Sequence, residues 1–216
     1  MNEYKYDKNK VMMPVHCVGI SAIQTRFILH IVANSRDEGR SILVVMKNPS
    51  KATGYKSDKT INNVINRLYT SYKHIYIANL FPYYSTRASG LLSCIEREDN
   101  DTILLINRMF IAHYVNKVDD ILMGWGTNTI GMKQAEYERV VTEVMHILTA
   151  SKKSLYYVHC CICKNSSQGC GNNSVCNNVC KKKCGRSSKE KKNCSLVRFP
   201  MHLELWDSAQ KTMTPY

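Results

Sequence analysis

Short apolar runs that end in turn-forming residues alternate along this chain with longer segments of helical periodicity, and this alternation constrains the fold most. The apolar runs are 41–46, 74–78, 120–124 and 154–158. Apolar residues recur at amphipathic helical spacing over 59–72, 101–114 and 132–149. A further strand is expected around 26–29. Strand–helix alternation favours right-handed crossovers, so we predict an α/β fold: a three-layer sandwich with a central, mostly parallel sheet of about four to five strands.

In sheets of this kind, ligands bind outside the carboxyl ends of the parallel strands. The predicted strands end at turn formers, aromatic residues and a histidine, which are therefore candidate ligand-binding residues: Asn48, Pro49, Ser50, Asn79, Phe81, Trp125, Gly126 and, beyond the last strand, His202. Each also has a purely structural interpretation. Asn and Pro form turns, Gly permits close backbone approach, and Trp125 is large enough for core packing. Only convergence at one edge favours a functional site.

Asp58 stands at the start of the helix predicted over 59–72. A structural role as the N-cap residue is favoured, because Asp accepts hydrogen bonds from free amides in the first helical turn. The functional alternative is a carboxylate at the sheet edge that activates water or binds a metal ion. The neutral amide of Asn48 cannot act as a general base and could only orient a water molecule.

Cysteine and positive charge are concentrated in one segment. Residues 160–199 contain eight of the chain's ten cysteines, and nine Lys or Arg residues against one Glu, whereas the whole chain carries a formal net charge of +13. We therefore predict one α/β domain made of residues 1–159 and 200–216, interrupted by a Cys- and Lys-rich insertion over residues 160–199.

The cysteine spacing suggests a structural zinc site in this insertion. The candidate ligands are Cys160, Cys163, Cys176, Cys180 and Cys184. Structural zinc takes four sulfur or nitrogen ligands, commonly in two close pairs, and here only the first pair has that spacing. Without metal the segment has too few aliphatic side chains to fold alone, and the alternative is a disordered loop.

The lysine clusters predict contact with nucleic acid. The candidate contacts are Lys181, Lys182, Lys183, Lys191 and Lys192. Such clusters bind the phosphate backbone through release of counterions, without sequence preference, although a solvated loop would have the same composition. No amphipathic apolar face accompanies the lysines, so a membrane surface is disfavoured.

Several classes of protein are disfavoured by absent motifs. The sequence has no Walker loop, Gly-rich dinucleotide fingerprint or HExxH zinc site, and no nucleotide cofactor is evident. No apolar run reaches about 18 residues, and no secretory apolar segment follows the polar N-terminus. We therefore expect a cytoplasmic protein with reduced cysteines.

Six ordered motifs resemble the family called domain of unknown function 1643. They are Met46-Lys-Asn-Pro-Ser-Lys-Ala52, Asp58-Lys-Thr-Ile61, Asn79-Leu-Phe81, Asn100-Asp101, Trp125-Gly126 and Pro200-Met-His202. Two departures are present: Tyr84-Ser-Thr86 replaces a usual Arg-Ala-Thr, and Met201 and Leu203 replace two residues of a usual Pro-Arg-His-Pro. The family label implies no activity.

The order of motifs is more distantly similar to the uracil-DNA glycosylase superfamily. That resemblance implies that Asn48 positions water, Asn79 contacts a base edge and His202 faces the departing base, while Phe81 or Trp125 stacks on a flipped base. The leading hypothesis is thus a glycosylase-like or related hydrolytic enzyme acting on a nucleobase or nucleotide in nucleic acid. The alternatives are a non-catalytic nucleic-acid or protein-binding module and a small-nucleotide-processing enzyme.

Overall fold

The computed structural model describes residues 4–34, 38–126, 128, 131–158 and 213–215. They form an open, mixed α/β sheet of seven strands with four helices. The strands are β1 (His16–Val18), β2 (Ile28–Val32), β3 (Arg40–Met46), β4 (Tyr72–Asn79), β5 (Asp120–Met123), β6 (Ser154–Val158) and β7 (Met213–Pro215). The helices are α1 (Lys59–Leu68), α2 (Ala88–Ile95), α3 (Asn100–Val115) and α4 (Gln134–Ala150).

The centre of the sheet is parallel and its two edges are antiparallel. The strand order is β1-β2-β4-β3-β5-β6-β7. Strands β4, β3, β5 and β6 run parallel to one another, as the strand–helix alternation predicted. Strand β2 pairs antiparallel with β4, and β7 pairs antiparallel with β6. The beginning of β2 therefore lies at the same edge as the carboxyl ends of the parallel strands.

Alternate residues of the central strands face two different cores. Ile42, Val44 and Met46 of β3 pack in the cluster that contains the buried face of α1. Leu43 and Val45 pack in the cluster that contains the buried faces of α3 and α4. Burial on both sides explains why these strands are continuous apolar runs rather than alternating ones.

The element boundaries differ from the sequence prediction at α1 and β4. The helix predicted over 59–72 ends at Leu68, and the following strand begins at Tyr72 rather than at residue 74. Tyr72 has apolar helical spacing, but its side chain is buried and its hydroxyl group donates to the buried carboxylate of Asp120 across 2.8 Å. This tertiary contact favours the extended conformation over continuation of the helix.

Strands β1 and β7, helix α2 and a 3-10 helix at Ser21–Ile23 were not predicted. Strands of three residues are too short to carry a periodic signal, and they exist because a neighbouring strand offers free backbone groups. Within the described residues, no helix is long and apolar enough to cross a membrane. The predicted insertion over 160–199, and with it the predicted zinc ligands and lysine clusters, lies outside the described residues.

Candidate functional site

The loop that follows β3 is fixed by Asp58. Its Oδ2 accepts hydrogen bonds from the backbone amides of Lys51 and Ala52, and its Oδ1 accepts from Ile61 across 2.8 Å in the first turn of α1. The predicted N-cap role is therefore confirmed. The same carboxylate also shapes residues 48–52, because it binds two amides of that loop.

Asn48 joins this loop to the segment before α2. Its Nδ2 donates to the carbonyl oxygens of Pro49 (3.0 Å) and Ser85 (2.8 Å), and the Ser85 amide donates to the Pro49 carbonyl across 2.9 Å. Two carbonyl acceptors identify the nitrogen end of the amide. The Oδ1 of Asn48 has no hydrogen-bond partner among the described residues, so it is a free acceptor at the carboxyl edge of the sheet.

Asn79, at the end of β4, is completely buried beside a buried arginine. Its Oδ1 accepts a hydrogen bond from Nη2 of Arg26 across 3.2 Å. Its backbone carbonyl accepts from Nδ2 of Asn107 across 2.8 Å, which ties the end of β4 to α3. The side-chain nitrogen of Asn79, Nδ2, has no hydrogen-bond partner among the described residues.

The carbonyl group of Ala52 connects the loop after β3 to Arg26 and Tyr84. It accepts from Nη1 of Arg26 across 2.9 Å and from the Tyr84 hydroxyl across 3.0 Å. The Tyr84 ring lies 5.8 Å from the guanidinium carbon of Arg26, within range of a cation–π interaction. Burial raises the pKa of Tyr84 to about 12, although Arg26 opposes the shift, so Tyr84 is a neutral donor at physiological pH.

Two adjoining depressions, of about 600 and 460 Å³, flank Tyr84 and together are called here the Tyr84 groove. Lys51 lines the first depression, and Arg87 lines the second. Of the described residues that line the groove, none is Asp or Glu, whereas nine carry hydroxyl groups: Ser21, Thr25, Ser50, Thr53, Tyr55, Tyr84, Ser85, Thr86 and Ser89. The charged side chains of the described lining, Lys51 and Arg87, are therefore both basic.

The structure brings some predicted site residues to this groove but not all of them. Asn48, Pro49, Ser50 and Asp58 belong to one loop system, and Ser50 lines the groove directly. Asn79 lies beneath it, bonded to Arg26. His202 lies outside the described residues.

Phe81, Trp125 and Gly126 lie in the core on the α3 and α4 side. Phe81 is fully buried, and Trp125 is 1% exposed with an indole N–H that has no partner among the described residues. Gly126 has a φ of 72°, a conformation that favours glycine, and its carbonyl accepts from the Tyr137 hydroxyl across 2.9 Å. The rings are covered in this conformation, and the proposed base stacking stays a prediction.

No sequence pattern predicted a functional role for Arg26, Tyr84 or Lys47. Arg26 stands alone before an apolar run, and a charged residue that is 1% exposed has no distinctive sequence pattern. Lys47 is also buried, at the junction of β3 and the Asn48 loop, and burial lowers its pKa to about 8. The only sequence signal for Arg26 and Lys47 was a single charged residue next to an apolar strand.

No cluster of three or more potential metal ligands is present in the part of the chain that the structure describes. Cys17 and Cys94 are free thiols. The zinc site predicted from the later cysteines stays a prediction.

The fold and groove define an open α/β-sheet protein with a basic, hydroxyl-lined groove at the carboxyl edge of its parallel strands. The chain belongs to the family described as "Protein of unknown function (DUF1643)", whose model matches residues 26–171. The match begins at the buried Arg26. No curated protein matches the sequence. No solved structure matches it either.

Proposed function

We propose that this protein is a glycosylase-like or related hydrolytic enzyme that acts on a nucleobase or nucleotide in nucleic acid bound at the Tyr84 groove. The observation that carries the proposal is the charge of the groove: Lys51 and Arg87 line it, Arg26 lies behind Tyr84, and no described lining residue is acidic. Phosphodiester backbones are polyanions that bind such surfaces through Lys, Arg and hydroxyl donors.

Asn48 supports the hydrolytic part of the proposal. Its Oδ1 has no hydrogen-bond partner in the described part of the chain, while two carbonyl bonds hold the amide nitrogen, so it can orient a water molecule without removing its proton. Because an amide is not a base, the rate would depend mainly on stabilising the departing anion. In the proposal, His202 supplies that stabilisation.

The proposed architecture is the three-layer sandwich, with the Cys- and Lys-rich insertion beside the groove. Lys181, Lys182, Lys183, Lys191 and Lys192 would add contacts to the phosphate backbone, and a structural zinc ion on the neighbouring cysteines would order them. This arrangement would place an electrostatic clamp over the nucleic acid.

The binding experiment measures fluorescence anisotropy with labelled single- and double-stranded DNA over a series of salt concentrations. We expect Lys51→Ala and Arg87→Ala each to weaken binding and to reduce the salt slope by about 1, as for the loss of one phosphate contact. Lys153→Gln, which changes a lysine just before β6 at the opposite edge of the sheet, is the matched control. Absence of binding at low salt, or equal salt slopes for all four proteins, would refute the proposed groove.

The activity experiment measures base release from uracil-containing or otherwise modified DNA. We expect Asn48→Ala to slow release while anisotropy and thermal melting show a folded, DNA-binding protein. DNA binding without base release from any substrate would favour the non-catalytic binding module instead. Activity on free nucleotides that survives deletion of residues 160–197 would favour the small-nucleotide enzyme.

A further inference from the structure

Two buried donors beneath the Tyr84 groove have no acceptor among the residues that the structure describes. They are Nε of Arg26 and Nδ2 of Asn79, in side chains that are 1% and 0% exposed. Arg26 and Asn79 are bonded to each other, so the two unsatisfied groups belong to one connected unit. Buried polar groups nearly always have a partner, and a pair of unsatisfied donors in one place is a feature that calls for an acceptor.

The chemistry of this unit is that of a donor only. Arg26 occupies Oδ1 of Asn79, which fixes the orientation of the amide and leaves only its N–H groups to bind a ligand. A guanidinium group contains no acceptor. The unit therefore matches a group that only accepts hydrogen bonds, such as an anionic oxygen, and does not match an amide-like group that also donates.

The charge of Arg26 is not neutralised by a carboxylate among the described residues. Asp58 binds the same loop, but both of its oxygens accept hydrogen bonds from backbone amides, those of Lys51, Ala52 and Ile61. The polar contacts of Arg26 are instead two neutral oxygens, of Ala52 and Asn79. A buried cation that makes no direct ion pair among the described residues is costly, and binding an anion directly lowers that cost.

We propose that Arg26 and Asn79 form a phosphate subsite, in which Nε of Arg26 and Nδ2 of Asn79 donate to oxygens of one phosphate group and Tyr84 is its lid. This subsite rests on the proposed function, because the Tyr84 groove supplies the route of entry. Tyr84 lies over Arg26 and lines both halves of the groove. Its hydroxyl bonds the same Ala52 carbonyl as Arg26 does and also lies 3.7 Å from Sγ of Cys17, so release of these two contacts lets the ring move aside.

The test is a titration of the protein with inorganic phosphate. Calorimetry and ³¹P NMR detect the binding, and chloride keeps the ionic strength of the buffers constant. We expect saturable binding to the wild-type protein. Asn79→Asp supplies a counterion to Arg26 and removes Nδ2, so it should remain folded and weaken phosphate binding at least tenfold, which is about 1.4 kcal/mol. Arg26→Met should abolish binding.

Tyr84→Phe tests the lid separately from the donors. It keeps the ring but removes the hydrogen bond to Ala52 and the contact with Cys17, and we expect phosphate to bind about two- to tenfold more tightly because opening costs less. Lys153→Gln should bind as the wild type does.

The proposal is overturned if phosphate gives no more heat than chloride, or if Asn79→Asp binds phosphate as tightly as the wild type. The donors are then structural and satisfied by water. The two proposals fail separately: loss of nucleic-acid binding with intact phosphate binding refutes the proposed function alone. DNA binding that depends on Lys51 and Arg87, without phosphate binding, refutes the subsite alone.

Discussion

Arg26 donates a hydrogen bond from Nη2 to Oδ1 of Asn79 across 3.2 Å, and both side chains are excluded from solvent. Arg26 precedes β2, and Asn79 ends β4, which runs antiparallel to β2. Because of this reversal, a residue at the start of one strand meets a residue at the end of its neighbour. The contact places a positive charge behind the candidate site, at the edge where the parallel strands end.

Removal of the Asp58 side chain should destabilise the fold. Its carboxylate caps α1 and binds the amides of Lys51 and Ala52, so Asp58→Ala should lower the free energy of unfolding by about 1–3 kcal/mol in urea denaturation. Asp99→Ala is the control, because Asp99 is also an N-cap residue but makes no side-chain cap bond. A loss no larger than that of the control would contradict the proposed anchoring of the loop.

A side chain at Gly19 should disturb the wall of the Tyr84 groove. A Cβ atom there would lie 2.0 Å from the backbone carbonyl oxygen of Thr25, and backbone cannot move aside at low cost. We expect Gly19→Ala to destabilise the protein by about 1–3 kcal/mol in thermal or urea unfolding. Ser21→Ala, also at the groove, should change stability by less than about 0.5 kcal/mol, and equal effects of the two variants would disprove the steric explanation.

The paired imidazoles of His30 and His74 should make stability depend on pH. Their Nε2 and Nδ1 atoms lie 3.1 Å apart, and burial, followed by the neighbouring His74, lowers the pKa of His30 to about 4. Burial also lowers the pKa of His74. The unfolded chain therefore binds more protons than the folded protein between about pH 6.5 and 4, so stability should fall as the pH falls through that window.

The measurement is the free energy of unfolding across that pH range for the wild type and for His30→Phe. Phenylalanine keeps a ring in the stack on Tyr76, whose centroid lies 4.3 Å from that of His30, but cannot titrate. We expect a shallower pH dependence in the variant. Parallel curves would show that this pair does not contribute.

Tyr72 should stabilise the amino-terminal edge of the sheet through its bond to the buried carboxylate of Asp120. Tyr72→Phe should lower the free energy of unfolding by about 1.5–3 kcal/mol at pH 7, the range for a hydrogen bond to a charged group. Burial, then the bond to Asp120, raises the pKa of Tyr72. The Tyr72 hydroxyl group therefore contributes fully to the free energy of unfolding below about pH 10, the pKa of tyrosine in the unfolded chain. This contribution is lost as the pH rises further.

Urea denaturation at pH 7 and above pH 10 measures both effects. Tyr55→Phe, at a side chain that is 79% exposed, should match the wild type at both pH values. If Tyr72→Phe also matches it, the hydroxyl group contributes nothing to the stability of this edge.

Local patterns in the sequence were sufficient to predict the parallel strands of the sheet and the residue at which α1 begins. The apolar run that became β3 and the spacing of Ile61, Val64 and Leu68 each depend on neighbours within one element. The Asp58 cap also involves a partner only three residues away. Such short-range signals survive in the sequence because the backbone geometry of a helix or strand fixes which positions share a face.

The candidate site was only partly predictable for the opposite reason. Strand-end topology indicated one edge of the sheet, and the structure connects the Asn48 loop, Asp58 and Asn79 there through Ala52 and Arg26. The strand ends gave no sign of the buried Arg26, because a sequence does not reveal that β2 runs antiparallel. Helix α2 was missed because its eight residues, 88–95, include Ser89, Gly90 and Ser93, which are weak helix formers.

The sequence by itself determined that the chain forms an α/β sheet with both faces buried and a polar loop after its central strand. The tertiary structure decided which charges and donors lie behind that loop. Arg26, Ala52, Asn79 and Tyr84 come together through contacts between residues 26 to 53 positions apart. Contacts of that kind depend on strand order and direction, and no local periodicity records them.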